Sequence, residues 1–141
     1  MFTKLVERFR SRVLLAPQAT GTGTGGYLAP TPGVQGITIR AVVKMGNAAD
    51  LALSLNYADD GSGTNATAYP VNVPVYVNGT RQADAKAHTV GDSSGNFIVD
   101  FAVDPATIPE GKTIGVAYAN SNAANLLAVE LIEDVAYRPQ S

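Results

Sequence analysis

Few side chains in this sequence can do covalent or metal chemistry, and their spacing narrows the choice further. His88 is the only histidine, and the chain has no cysteine and no tryptophan. That removes thiol nucleophiles, disulfides and cysteine-held metals, and leaves imidazole to supply a single ligand or a single base. His88 lies in Ala85-Lys-Ala-His-Thr89, where the phase of the alanines sends it toward solvent, and no serine triad is expected around it. Asp59, Asp60 and Asp92 stand in Ser/Asn/Gly-rich breaks. Such oxygens can chelate calcium, but neither break has the alternating acids, central glycine and distal glutamate of an EF-hand, so solvated turn residues are expected. Glu130 and Glu133 are too close along one strand to face each other across a cleft as a glycosidase pair. They are expected to line a solvated or partner-facing row. The run Gly21-Thr-Gly-Thr-Gly-Gly26 lacks both a following lysine and a strand–helix setting, which excludes a phosphate-binding loop. The expectation is therefore a protein that is not an enzyme, with no catalytic, cofactor-binding or metal-binding residues and no cofactor.

The elements that would position any site are strands. From residue 37 the apolar residues recur every second position: Ile37, Ile39, Ala41, Val43, Met45; Leu51, Leu53, Leu55, Tyr57; Val71, Val73, Val75, Val77; Phe97, Val99, Phe101, Val103; Ile114, Val116, Tyr118; and Leu127, Val129, Leu131. A strand turns successive side chains to opposite faces, so each run buries one row and presents the other. Phe97, Val99, Phe101, Val129 and Leu131 are the expected core. Asn78-Gly79 directly after Val77 is a hairpin signal. Pro74 has no amide hydrogen and belongs at an edge or a bulge. The breaks at 59–66 and 104–111 suit connections that cross between sheets. Together these predict an all-β antiparallel two-sheet sandwich, jelly-roll-like or immunoglobulin-like rather than a simple meander.

The chain has 141 residues, 45% hydrophobic and 16% charged, with 10 Lys plus Arg against 12 Asp plus Glu and a net charge of −2. This is the composition of one folded domain. The acidic balance argues against nucleic acid as a partner, and no apolar run approaches the ~20 residues needed to span a bilayer, so no membrane partner is expected either. The apolar run Val13–Ala16 is too short for a secretory signal, which predicts a chain made in the cytoplasm and left unprocessed. Charge is uneven: residues 1–12 carry +3 and the remainder −5. Phe2, Leu5, Val6, Phe9 and Val13 fall at helical spacing, and the Gly/Pro/Thr-rich stretch 17–36 follows. This predicts an arm over 1–36, extended but opening as a short helix, and a sandwich domain over 37–141. On that arm Phe2, Leu5, Val6, Arg8, Phe9, Arg10 and Arg12 are the candidate partner-binding residues, because an apolar, basic, tethered segment is costly to leave exposed.

Two stretches carry a resemblance: Gly95-Asn-Phe-Ile-Val-Asp-Phe-Ala-Val-Asp-Pro-Ala-Thr-Ile-Pro109 and Asn125-Leu-Leu-Ala-Val-Glu-Leu-Ile-Glu-Asp-Val-Ala-Tyr-Arg138. In architecture and composition over residues 37–138 the chain is similar to tailed-phage capsid cement (decoration) proteins. The resemblance implies a structural virion protein on the capsid surface. Its partner would be the major capsid protein, with neighbouring copies or a homo-oligomer as further contacts. The alternative is a carbohydrate-binding β-sandwich module of a phage fibre or secreted enzyme, and an exposed coplanar pair of tyrosines would favour it.

Overall fold

A computed structural model describes residues 8–21, 25–46, 48–118 and 121–135. Eleven strands follow in chain order: β1 (Phe9–Ala19), β2 (Gly25–Leu28), β3 (Gly36–Gly46), β4 (Leu51–Ala58), β5 (Thr67–Ala68), β6 (Val75–Val77), β7 (Thr80–Arg81), β8 (Ala87–Val90), β9 (Ser94–Val103), β10 (Thr113–Tyr118) and β11 (Leu126–Asp134). One turn of 3₁₀ helix, Pro105–Thr107, is capped by Asp104, whose carboxylate accepts the Ala106 amide at 3.0 Å. The strands form two sheets, β1-β11-β3-β9-β6-β7 and β2-β10-β4-β5, with β8 also paired to β4. All pairings are antiparallel. With β5, β6 and β7 set aside as an excursion, the order is β1-β11-β3-β9 against β2-β10-β4-β8. That is the strand order of a jelly roll, in which the chain changes sheets at every step except β4 to β8.

The alternating rows meet between the sheets. Ile39, Ala41, Val99, Phe101, Val129 and Leu131 from one sheet face Leu51, Leu53, Leu55, Ile114 and Val116 from the other, each no more than 1% exposed. Of the expected core, Phe97 alone is half-buried, at the rim of the cluster. The run from Val71 is shorter than its alternation suggests. Val71 is exposed, Val73 makes an isolated bridge to Ala85, and the strand begins at Val75. Pro74 precedes it and uses its carbonyl to accept the Ala102 amide at 3.0 Å, which needs no donor from proline. The 104–111 break does cross from one sheet to the other, but 59–66 joins β4 to β5 within one sheet.

The largest correction concerns the N-terminal boundary. Residues 9–19 and 25–28 are not an arm outside the sandwich. β1 pairs with β11 along its length, from Phe9↔Asp134 to Ala19↔Leu126, and β2 pairs with β10. Leu14, Leu15 and Tyr27 are buried. Phe9 and Val13 therefore belong to a strand rather than to a helix, while Phe2, Leu5 and Val6 lie outside the described residues. Two glycines allow the closure: a Cβ on Gly26 would run into the Leu14 carbonyl, and one on Gly115 into the Gly26 carbonyl. The glycine-rich stretch is thus partly a packing device.

The Asn78-Gly79 hairpin forms as its sequence implies, with Asn78 at φ 49° and Gly79 at φ 81° joining β6 to β7. Nothing lies within 4 Å of a Cβ built on Gly79, so Gly79→Ala isolates backbone strain. It should lower stability by about 1–2 kcal/mol in urea unfolding without changing the native far-ultraviolet spectrum.

Candidate interaction face

The sequence-flagged polar residues are mostly consumed by the fold itself. The Asp60 carboxylate accepts the Ser62 amide at 2.9 Å, the Thr64 amide at 3.2 Å and the Thr64 hydroxyl at 2.7 Å. Asp59 accepts the Asn65 side-chain amide at 2.8 Å and pairs with Lys112. These bonds hold both carboxyls below the usual carboxylate range, Asp60 chiefly through Thr64 and Asp59 chiefly through Lys112. Asp92 lies in another turn, its amide bonded to Asp50 at 2.7 Å. Among the described residues, no three His, Cys, Asp or Glu side chains gather at one place. The turn Gly91-Asp-Ser-Ser-Gly95 has the Gly-x-Ser-x-Gly spacing of a nucleophile elbow. It joins two strands, not a strand to a helix, and the Ser93 hydroxyl donates to the Gly91 carbonyl at 3.2 Å.

His88 and Glu133 both face the other way from the expectation. His88 pairs across β4 with Leu53, an inward residue, so it lies on the inner row of β8 and is half-buried. That burial lowers its pKa from the ordinary imidazole value. Since the folded-state pKa lies below the unfolded one, the neutral form is favoured by folding, and stability falls as pH drops below the ordinary value of about 6.5. Melting temperature should therefore begin to fall between about pH 6.5 and 5, before the depressed aspartates titrate. His88→Gln should remove that early decline, as read by calorimetry across the pH range.

Glu133 is fully buried rather than part of a solvated row, whereas Glu130 is half-exposed. The Glu133 carboxylate accepts the Thr31 amide at 2.6 Å, the Thr31 hydroxyl at 2.9 Å and Arg12 at 3.4 Å. Arg12 also donates to the Ala29 carbonyl at 2.9 Å, and Arg10 reaches the Thr31 hydroxyl at 3.5 Å. This cluster straps the segment after β2 onto the end of the sandwich. Of the candidate partner-binding residues, Arg10 and Arg12 thus make contacts within the chain, and Arg8 pairs with Asp134 at 3.1 Å.

What the fold leaves available is the outer face of the β1-β11-β3-β9-β6-β7 sheet. Register places one continuous row across six strands: Val13, Glu130, Arg40, Asp100, Tyr76 and Arg81. Arg40 forms a two-pronged pair with Asp100, at 2.8 and 3.1 Å, which raises the guanidinium pKa above its usual value. Arg81 sits 5.5 Å from the Tyr76 ring centre, and Ser11 donates to Glu130 at 3.3 Å. On one side of this charged row lie Ile132, Thr38 and Ala102, in a shallow hollow of about 510 Å³ that Phe9 and Pro74 also line. On the other side lie Ala128, Val42 and Ile98, followed by Leu126, Lys44 and Asn96. Pro17, Val42, Lys44, Asn96, Leu126 and Ala128 border a second hollow of about 230 Å³. Val13 is 67% exposed, Val42 42%, Leu126 43% and Ile98 38%. The signal for this face was in the outward phase of the strands, where Val42, Ile98, Ala102, Ala128 and Ile132 occupy positions that a solvated sheet fills with polar residues.

The tyrosines do not form a sugar platform among the described residues. Tyr27, Tyr69 and Tyr118 are buried, and Tyr57 and Tyr76 are half-buried on different sheets. No protein-family model matches the chain, and no curated protein sequence matches it.

Proposed function

We propose that this chain is a structural virion protein: a cement or decoration module that binds the major capsid protein lattice of a tailed phage and stabilises it from the capsid surface. The observation that carries this reading is the outer face just described, a broad sheet surface whose apolar rows flank an internally neutralised charged row. Contiguous exposed apolar area on a small domain is a mark of protein contact. A row already paired within the chain presents little unsatisfied charge to a partner, so covering the face avoids the cost of burying a lone ion. A rigid module on a repeating lattice also benefits from neighbouring copies, which convert modest single contacts into a strong sum.

The test is co-sedimentation of the purified chain with expanded, empty capsids of the phage whose genome encodes it. Saturable binding, together with a higher temperature of capsid disruption, is the expected result. A chain that stays in the supernatant at saturating concentration and leaves capsid disruption unchanged overturns the proposal.

A further inference from the structure

On that reading, we infer that the apolar end of the outer face seats a protein segment carrying an aliphatic side chain next to a carboxylate, with Lys44 as the partner of that carboxylate. Val42 and Ile98 are neighbours across β3 and β9, and Leu126 stands directly across from Lys44 on β11 and β3. The hollow of about 230 Å³ bordered by Val42, Leu126, Ala128 and Pro17 is open, shallow and largely apolar, suited to a branched aliphatic side chain.

Charge decides the rest of the partner's chemistry. The other charged side chains of this face are supplied from within: Arg40 by Asp100, Glu130 by Ser11 and the nearby Arg40, and Asp134 by Arg8. Lys44 is exposed, its cross-strand neighbours Leu126 and Asn96 are uncharged, and it makes no ion pair among the described residues. Because Lys44 lies between Leu126 and Asn96, any partner that covers the hollow also covers Lys44. An ammonium removed from water without an anion is costly, so the covering surface must bring one. A second copy of the chain fits poorly. Its described outer-face carboxylates are already engaged, and two such patches meeting about a two-fold axis would bring Lys44 toward Lys44.

Binding to the expanded, empty capsids is to be measured for Val42→Asp, Lys44→Glu, Lys44→Arg and Ala52→Asp, the last on an exposed position of β4 in the other sheet. Each variant is first checked for an unchanged melting temperature, which exposure of these positions predicts. Val42→Asp and Lys44→Glu should each weaken binding by about tenfold or more, whereas Lys44→Arg and Ala52→Asp should stay within about twofold. If the unmodified chain binds and Lys44→Glu or Val42→Asp binds equally well, this seat is overturned while the capsid reading stands. Self-association that Val42→Asp abolishes assigns the face to a second copy and also overturns it. Failure of the unmodified chain to bind overturns the capsid reading and this inference with it.

Discussion

Deleting residues 1–20 should abolish cooperative folding. The deletion removes β1, the first strand of the roll, and leaves β11 with an unpaired edge over its whole length. It strips Leu14 and Leu15, which are 7% and 8% exposed, from the core. Burial of such side chains contributes roughly 1.5–3 kcal/mol each. Loss of Arg12 leaves Glu133 buried without its cation, and loss of Thr20 removes the bond from its amide to the Asn125 carbonyl at 3.0 Å. Asn125 is itself a buried hub, accepting the Gly46 amide and donating to Ala49 and Ser121. Against a total stability of roughly 5–15 kcal/mol, these losses exceed what the remaining strands can absorb. The truncated chain should show no sigmoidal thermal transition and should aggregate through the bared β11 edge. A truncation that melts cooperatively within a few degrees of the full chain would return residues 9–20 to the status of a detachable arm.

Glu133→Ala should lower stability by about 2–4 kcal/mol, an effect set by the Thr31 donors left behind rather than by what is removed. Without the carboxylate, the Thr31 amide and hydroxyl lose their acceptor and Arg12 keeps only the Ala29 carbonyl. Arg12 is about one-third exposed in its side chain and can recover hydration, so the larger share of the loss falls on the Thr31 amide. Glu133→Gln retains an acceptor oxygen but loses the charge opposite Arg12, and should cost about 1–3 kcal/mol. Guanidinium unfolding of the three proteins gives the ordering. Equal midpoints for the alanine variant and the unmodified chain would mean that the strap over the end of the sandwich carries no stability.

The inner rows of β3, β4, β9, β10 and β11 were legible because burial on one face imposes a strict period of two on the residues themselves. Ile37 to Met45 alternate without a fault, and those five side chains are buried. β1 was not legible for three reasons, all visible in its pairing. Its register shifts between Val13 and Leu15 and again between Leu15 and Gln18, which breaks the period. It contains Pro17, tolerable only on the edge strand that it is. And its inward phase at Arg10 and Arg12 holds cations, because these positions lie opposite Glu133 and Leu131 at the end of the sandwich. β2 shows the same difficulty in another form. Gly25-Gly26 reads as a linker, yet only glycine lets this strand come so close to β1 and β10. Glu133 and His88 were misplaced because a phase counted from neighbouring residues cannot reveal which polar side chain will find a buried partner.

By itself, then, the amino-acid sequence determined the class of the fold, the rows that fill it, the Asn78-Gly79 turn and the scarcity of groups for catalysis, since each follows from local periodicity, backbone preference or residue inventory. Tertiary structure alone decided that the N-terminal strands complete the roll, that Glu133 is a buried strap, and that Val42, Ile98, Leu126 and Lys44 share one surface. Those facts depend on register between strands distant in the chain, more than a hundred residues apart for β1 against β11. Register of that kind is set by the summed complementarity of whole rows, not by any one segment's own pattern.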